Sequence, residues 1–233
     1  MRTLSALTTL LFLGCATPGV HFESPRLRDR WPSLRTLGLV GPVVDVSQEP
    51  ADPKARDAWK REAEEGILVT FAAEIQMRGI AIVRLSPKPP THERLAALAR
   101  RFDEAVLAVG RSEKPAEALA AVHSLGDQKA LARASAVDGF LVTSATALPP
   151  RGPPRPSAFS GLGRTNFQSI QEAEEGPGLT GDAGVRLTSL AAAVVDASGE
   201  ILWMATRGAP GEDEGDEVRD FVADLAERLP QAR

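Results

Sequence analysis

Residues 187–203 read LTSLAAAVVDASGEILW, and the chain continues to Gly208 as MATRG. The first half is a run of small and β-branched apolar residues that stops at Asp196. Apolarity then resumes at Ile201, after a gap that contains Gly199. Two apolar runs of strand length separated by a short glycine-containing gap predict a β-hairpin with its turn at Ala197-Ser198-Gly199. Gly199 can take a positive φ in that turn. Trp203, at an alternate position of the second strand, is expected to bury its ring on a face covered by helices. Asp196, Gly199 and Trp203 are therefore assigned to the structure of the hairpin rather than to chemistry.

Working outward, residues 137–148 (VDGFLVTSATAL) form another strand, and residues 34–47 (LRTLGLVGPVVDVS) a strand interrupted at Gly41-Pro42. Proline cannot donate to a ladder, so Pro42 implies an edge or a bulge. Trp59, Ala63, Ile67, Phe71 and Ile75 recur at steps of four with Leu68 beside them, predicting a helix over 53–78 closed by Gly79. A short strand follows at 80–86. Leu95, Leu98, Phe102, Val106 and Val109 stripe a helix over 91–109, with Thr91 as N-cap and Gly110 at its end. The alanine-rich stretch 115–136 adds one or two short helices around Gly126. Val218, Phe221, Val222, Leu225 and Leu229 stripe a C-terminal helix. The fold class is α/β (α+β): a mixed sheet of about five strands with helices packed on it, in the order βαβα(α)βββα. Residues 34–230 make one domain.

Within it, residues 149–184 are too rich in proline and glycine to propagate helix or sheet, and form a long insertion. Arg151 and Arg155 among prolines suit docking in an aromatic groove. With Phe159 and Phe167 they are the candidate partner-binding residues. Large apolar residues are too scattered there to alternate over the 9–11 positions that a membrane hairpin needs, which argues against a pore.

The chain begins MRTLSALTTLLFLGCATPG. The apolar run suits a signal-peptide core and falls short of the roughly 20 residues of a membrane span. LFLGC resembles the lipobox of bacterial lipoproteins. That resemblance implies cleavage after residue 14, a diacylglycerol on Cys15, and a membrane anchor through that lipid. Ala16 after the cysteine points to the outer membrane. Residues 1–14 are thus read as signal peptide and the polar, proline-containing residues 15–33 as a lipidated tether. The domain would face the periplasm.

The hairpin motif, with Asp138 and Gly139 of the third strand and the opening LGLVGPVVDVS, resembles the α/β domain shared by the TolB amino-terminal domain, CsgG and LpoB. Asp138, Gly139, Asp196, Gly199, Glu200 and Trp203 occupy the places of that pattern, with Ser198 where Thr is usual. The resemblance spans about residues 34–229 and implies a fold more than an activity.

A net charge of −4, no basic stripe, no tyrosine and 5% aromatic residues exclude a nucleic-acid surface. His21, His92 and His123 lack metal-ligand spacing, and no G-x-S-x-G or S-x-x-K occurs. GPGLTG at 176–181 matches a dinucleotide fingerprint literally but lacks the flanking strand and helix. The acidic run at 212–217 suits the start of a helix. No catalytic residue, metal or cofactor is expected beyond the lipid on Cys15. The expected function is an outer-membrane-anchored lipoprotein whose periplasmic domain binds another envelope component as an accessory or assembly factor, without catalysis. The alternative is a periplasmic small-ligand or glycan-binding lipoprotein.

Overall fold

The computed structural model describes residues 19–46, 53–85, 91–114, 117–118, 121–148, 185–208 and 216–230. The elements, in order, are β1 (His21–Glu23), α1 (Leu27–Arg30), a 3-10 turn (Trp31–Ser33), β2 (Thr36–Leu39), β3 (Val43–Val46), α2 (Pro53–Met77) and β4 (Ala81–Arg84). They continue with α3 (His92–Gly110), α4 (Lys129–Ser135), β5 (Gly139–Leu148), β6 (Arg186–Asp196), β7 (Ile201–Gly208), β8 (Asp216–Glu217) and α5 (Val218–Glu227). The sheet is mixed, ordered β1-β7-β6-β5-β2-β4, with β3 paired to β5 and β8 to β6. The α/β class holds, and the described strands number eight rather than about five.

β5 and β6 lie at the centre and are apolar almost throughout because both of their faces are covered. Leu141, Ala145, Leu190, Ala192 and Val194 face a core closed by α2 and α5, with Ile67, Phe71, Ile75, Phe221 and Leu225. Phe140, Val142, Ala191, Ala193 and Val195 face a second core under α3 and α4, with Leu98, Phe102 and Leu131. The chain steps from β2 to its neighbour β4 through α2, then back across the sheet to β5 through α3 and α4. Opposite steps with a common hand place the two crossovers on opposite faces, as found.

Each helical stripe buries as its spacing requires. Ala63, Ile67, Leu68, Phe71 and Ile75 of α2 are buried, and Gly79 at φ +75° ends the helix. The interruption at Pro42 is a bulge: Leu39 pairs with Leu141 but Val43 with Ser144, so one extra residue stands on the β2–β3 side. A second bulge lies in the hairpin, where Val194 pairs with Trp203 and Val195 with Ile201.

The reading of residues 15–33 as a tether is corrected for its described part. His21–Glu23 adds an antiparallel strand to β7, with Val20 and Thr206 bonded through backbone and hydroxyl. Val20 and Phe22 pack against the α3-side core, whereas Leu27 and Trp31 are buried in the α2-side core. These residues clasp the sheet from both faces. A three-residue strand is too short for its alternation to register, and the charges around Leu27 and Trp31 mask an i, i+4 pair. Cys15 lies outside the described residues, as does the insertion at 149–184.

Candidate functional site

The hairpin residues hold one end of the sheet. Asp196 is buried, and its Oδ1 accepts from the Ser198 amide and hydroxyl (2.8 and 2.6 Å) and from the Glu200 amide (3.0 Å). This aspartate-centred turn satisfies three donors that the chain reversal would otherwise strand. Gly199 sits at φ +87°, and its carbonyl accepts from the Leu125 amide at 2.8 Å. Asp138 works similarly, its Oδ2 accepting the amides of Arg35 and Thr36 at 2.8 and 2.9 Å where β2 begins. Trp203 is fully buried and donates from Nε1 to the Arg228 carbonyl at 3.0 Å. Arg78 reaches the Ala226 carbonyl at 2.6 Å, so two side chains satisfy carbonyls at the end of α5.

Beside this turn lies an open cleft of about 690 Å³. Arg30, Lys129 and Arg133 line it together with Asp138, Asp196 and Ser198. The two carboxylates are engaged by backbone amides. None of the three cations lies within ion-pair distance of a carboxylate among the described residues. An anion or an acidic sugar would complement that lining. Lys129 and Arg133 are one helical turn apart on α4, and Arg30 arrives from the N-terminal clasp. Sequence reasoning had no access to this juxtaposition, because Arg30 is far in sequence from Lys129 and Arg133 and meets them only through the packing of distant segments.

The other exposed feature is the edge strand β4. It pairs in parallel with β2 from Thr36↔Ala81 to Leu39↔Arg84, and nothing among the described residues pairs with its outer side. The Ala81 and Leu85 amides donate inward to Arg35 and Leu39 carbonyls. By the alternation of a parallel ladder, the backbone groups of Ile82 and Arg84 point outward. The Arg84 side chain is drawn toward α2 by a bidentate pair with Glu65 at 3.0 and 2.7 Å. Val83 is exposed because α3 lies over β3 and β5 rather than over β4. Four residues of uncapped ladder are a template for an added strand.

Arg151, Arg155, Phe159 and Phe167 lie outside the described residues. His21 stands on β1 and His92 opens α3, while His123 lies between α3 and α4. Among the described residues no three His, Cys, Asp or Glu side chains are grouped to hold a metal ion. Ser144 donates to Asp103 Oδ1 at 2.7 Å, which ties β5 to α3 with no histidine in the pair. Burial raises the pKa values of Glu62 and Glu64 on α2, against a lowering by the Val185 amide at Glu62 and by Lys60 at Glu64. Neither lines the cleft. Among the described residues no helix is long and apolar enough to cross a membrane. Comparison with protein-family models, with characterised proteins and with solved structures finds no match to this chain.

Proposed function

We propose that this chain is an outer-membrane-anchored lipoprotein whose periplasmic α/β domain binds another envelope protein as an accessory or assembly factor, without catalysis. The lipobox-like LFLGC supports the anchor. The observation that carries the binding role is the open rim of β4, where two residues present outward backbone groups on a rigid sheet. An extended segment of the partner adds there as a strand, its backbone supplying affinity and its alternate side chains specificity.

The test is crosslinked affinity capture from cells, comparing the wild type with Cys15→Ser, Arg84→Pro and Arg84→Ala. Proline at 84 removes an outward N–H that no sheet bond uses, so the domain is expected to stay folded. Arg84→Ala loses the same ion pair to Glu65 but keeps the N–H. Capture of a defined envelope protein should survive Arg84→Ala and fall at least tenfold with Arg84→Pro. Equal capture by both variants removes β4 from the interface, and no loss with Cys15→Ser removes the need for the anchor.

The cleft lining favours a second reading, a binder of an anionic small ligand or acidic glycan. At 100 times its dissociation constant such a ligand stabilises the fold by about 2.7 kcal/mol. A thermal-shift screen of phosphorylated and carboxylated sugars should then show a shift in the wild type that Lys129→Glu/Arg133→Glu abolishes. A shift unchanged in the double variant would place the ligand elsewhere.

A further inference from the structure

Between Cys15 and the first described residue, Gly19, lie only Ala16, Thr17 and Pro18. Gly19 is already seated on the sheet. A Cβ on it would stand 2.6 Å from the Thr206 carbonyl and 3.1 Å from the Arg228 guanidinium. One residue on, the Val20 carbonyl accepts the Thr206 amide at 2.8 Å, and the Val20 amide donates to the Thr206 hydroxyl at 3.1 Å. Four residue steps, at about 3.6 Å each when fully extended, span at most about 14 Å. A tether running to residue 33 would have allowed more than 60 Å by the same measure.

We infer that the β1 edge of the domain is a membrane-apposed surface, its Gly19 end held within about 14 Å of the lipid headgroups. This rests on the anchored reading proposed above. A bilayer is the occupant because the lipidated residue itself sits in it, and only three residues separate that residue from the folded edge. The edge is suited to that position. It is three residues long, it carries His21 and Glu23 with their side chains partly in solvent, and its outer side pairs with nothing among the described residues. Short, and polar at its exposed positions, it needs no protein cover. The opposite edge, β4, lies five strand spacings away across the sheet, about 24 Å. The strand-accepting rim is therefore on the side of the sheet remote from the anchor point.

The single cysteine makes the geometry testable without relying on native acylation. The chain from Cys15 onward, which contains every described residue, is coupled through its thiol to a maleimide lipid in a supported phosphatidylethanolamine/phosphatidylglycerol bilayer. Neutron reflectometry then gives the protein density along the normal. Wild-type density is expected to begin at the headgroups with no solvent layer. Inserting 15 Gly/Ser residues between Pro18 and Gly19 should move it outward by about 20 Å. If the wild-type profile coincides with that of the spacer variant, β1 leaves the sheet on anchoring and the apposition is overturned. Mass spectrometry of the N-terminal peptide from cell envelopes decides the anchor separately. An unacylated Cys15 overturns the lipoprotein reading whatever the reflectometry shows.

Discussion

Trp203→Ala is expected to destabilise the domain by about 3–5 kcal/mol, the usual cost of truncating a large buried aromatic. Two losses combine. The indole is fully buried on the face of β7 that meets α5, so its removal leaves a cavity in a core that includes Leu225 and Leu229. Its Nε1 also satisfies the Arg228 carbonyl at the end of α5, which truncation would strand. Equilibrium urea unfolding measures the effect as a drop in midpoint at unchanged slope. Trp203→Phe separates the two contributions, since it restores most of the volume but not the donor. A loss below about 1 kcal/mol for the alanine variant would mean that the indole does not pack between β7 and α5.

Gly199→Val is expected to cost about 2–4 kcal/mol. A side chain at φ +87° costs roughly 1–2 kcal/mol by itself. Any Cβ at 199 also collides with the Gly126 carbonyl, so the segment that lies over the hairpin must move. That segment supplies the Leu125 amide to the Gly199 carbonyl and the His123 carbonyl to the Ile201 amide, each bond worth about 1 kcal/mol net. Gly199→Asn distinguishes the causes, because asparagine tolerates positive φ while carrying the same Cβ. An asparagine variant as unstable as the valine one assigns the cost to the collision. One close to the wild type assigns it to the backbone conformation and shows that the 123–126 segment yields easily.

These two sites also mark how far the sequence reaches. The turn at 197–199 was legible because its glycine sits between two apolar runs, and the burial of Trp203 followed from its alternate position. The collision partner of Gly199 was not legible, since Gly126 lies more than 70 residues away and only the bonding of the 123–126 segment to the hairpin brings it there. Pro42 announced an edge or a bulge because proline lacks a donor wherever it sits, and the register shows the bulge. Residues 20–31 gave the opposite result: without a period long enough to detect, Val20, Phe22, Leu27 and Trp31 read as polar tether, yet each packs against one of the two cores. The cationic cleft is of the same kind, since no local spacing brings Arg30 to Lys129 and Arg133.

The sequence by itself determined the long helices, most strands, the hairpin and the lipobox-like start, because burial of a face imposes a period on side chains and a turn imposes a residue type. Only the tertiary structure decided that β1 and β4 are the two edges, that the N-terminal segment is part of the sheet, and that three cations share a cleft. The reason is directional. Side chains project from the faces of a sheet and record what covers them, whereas strand neighbours lie in its plane, joined by backbone groups that nearly every residue carries alike.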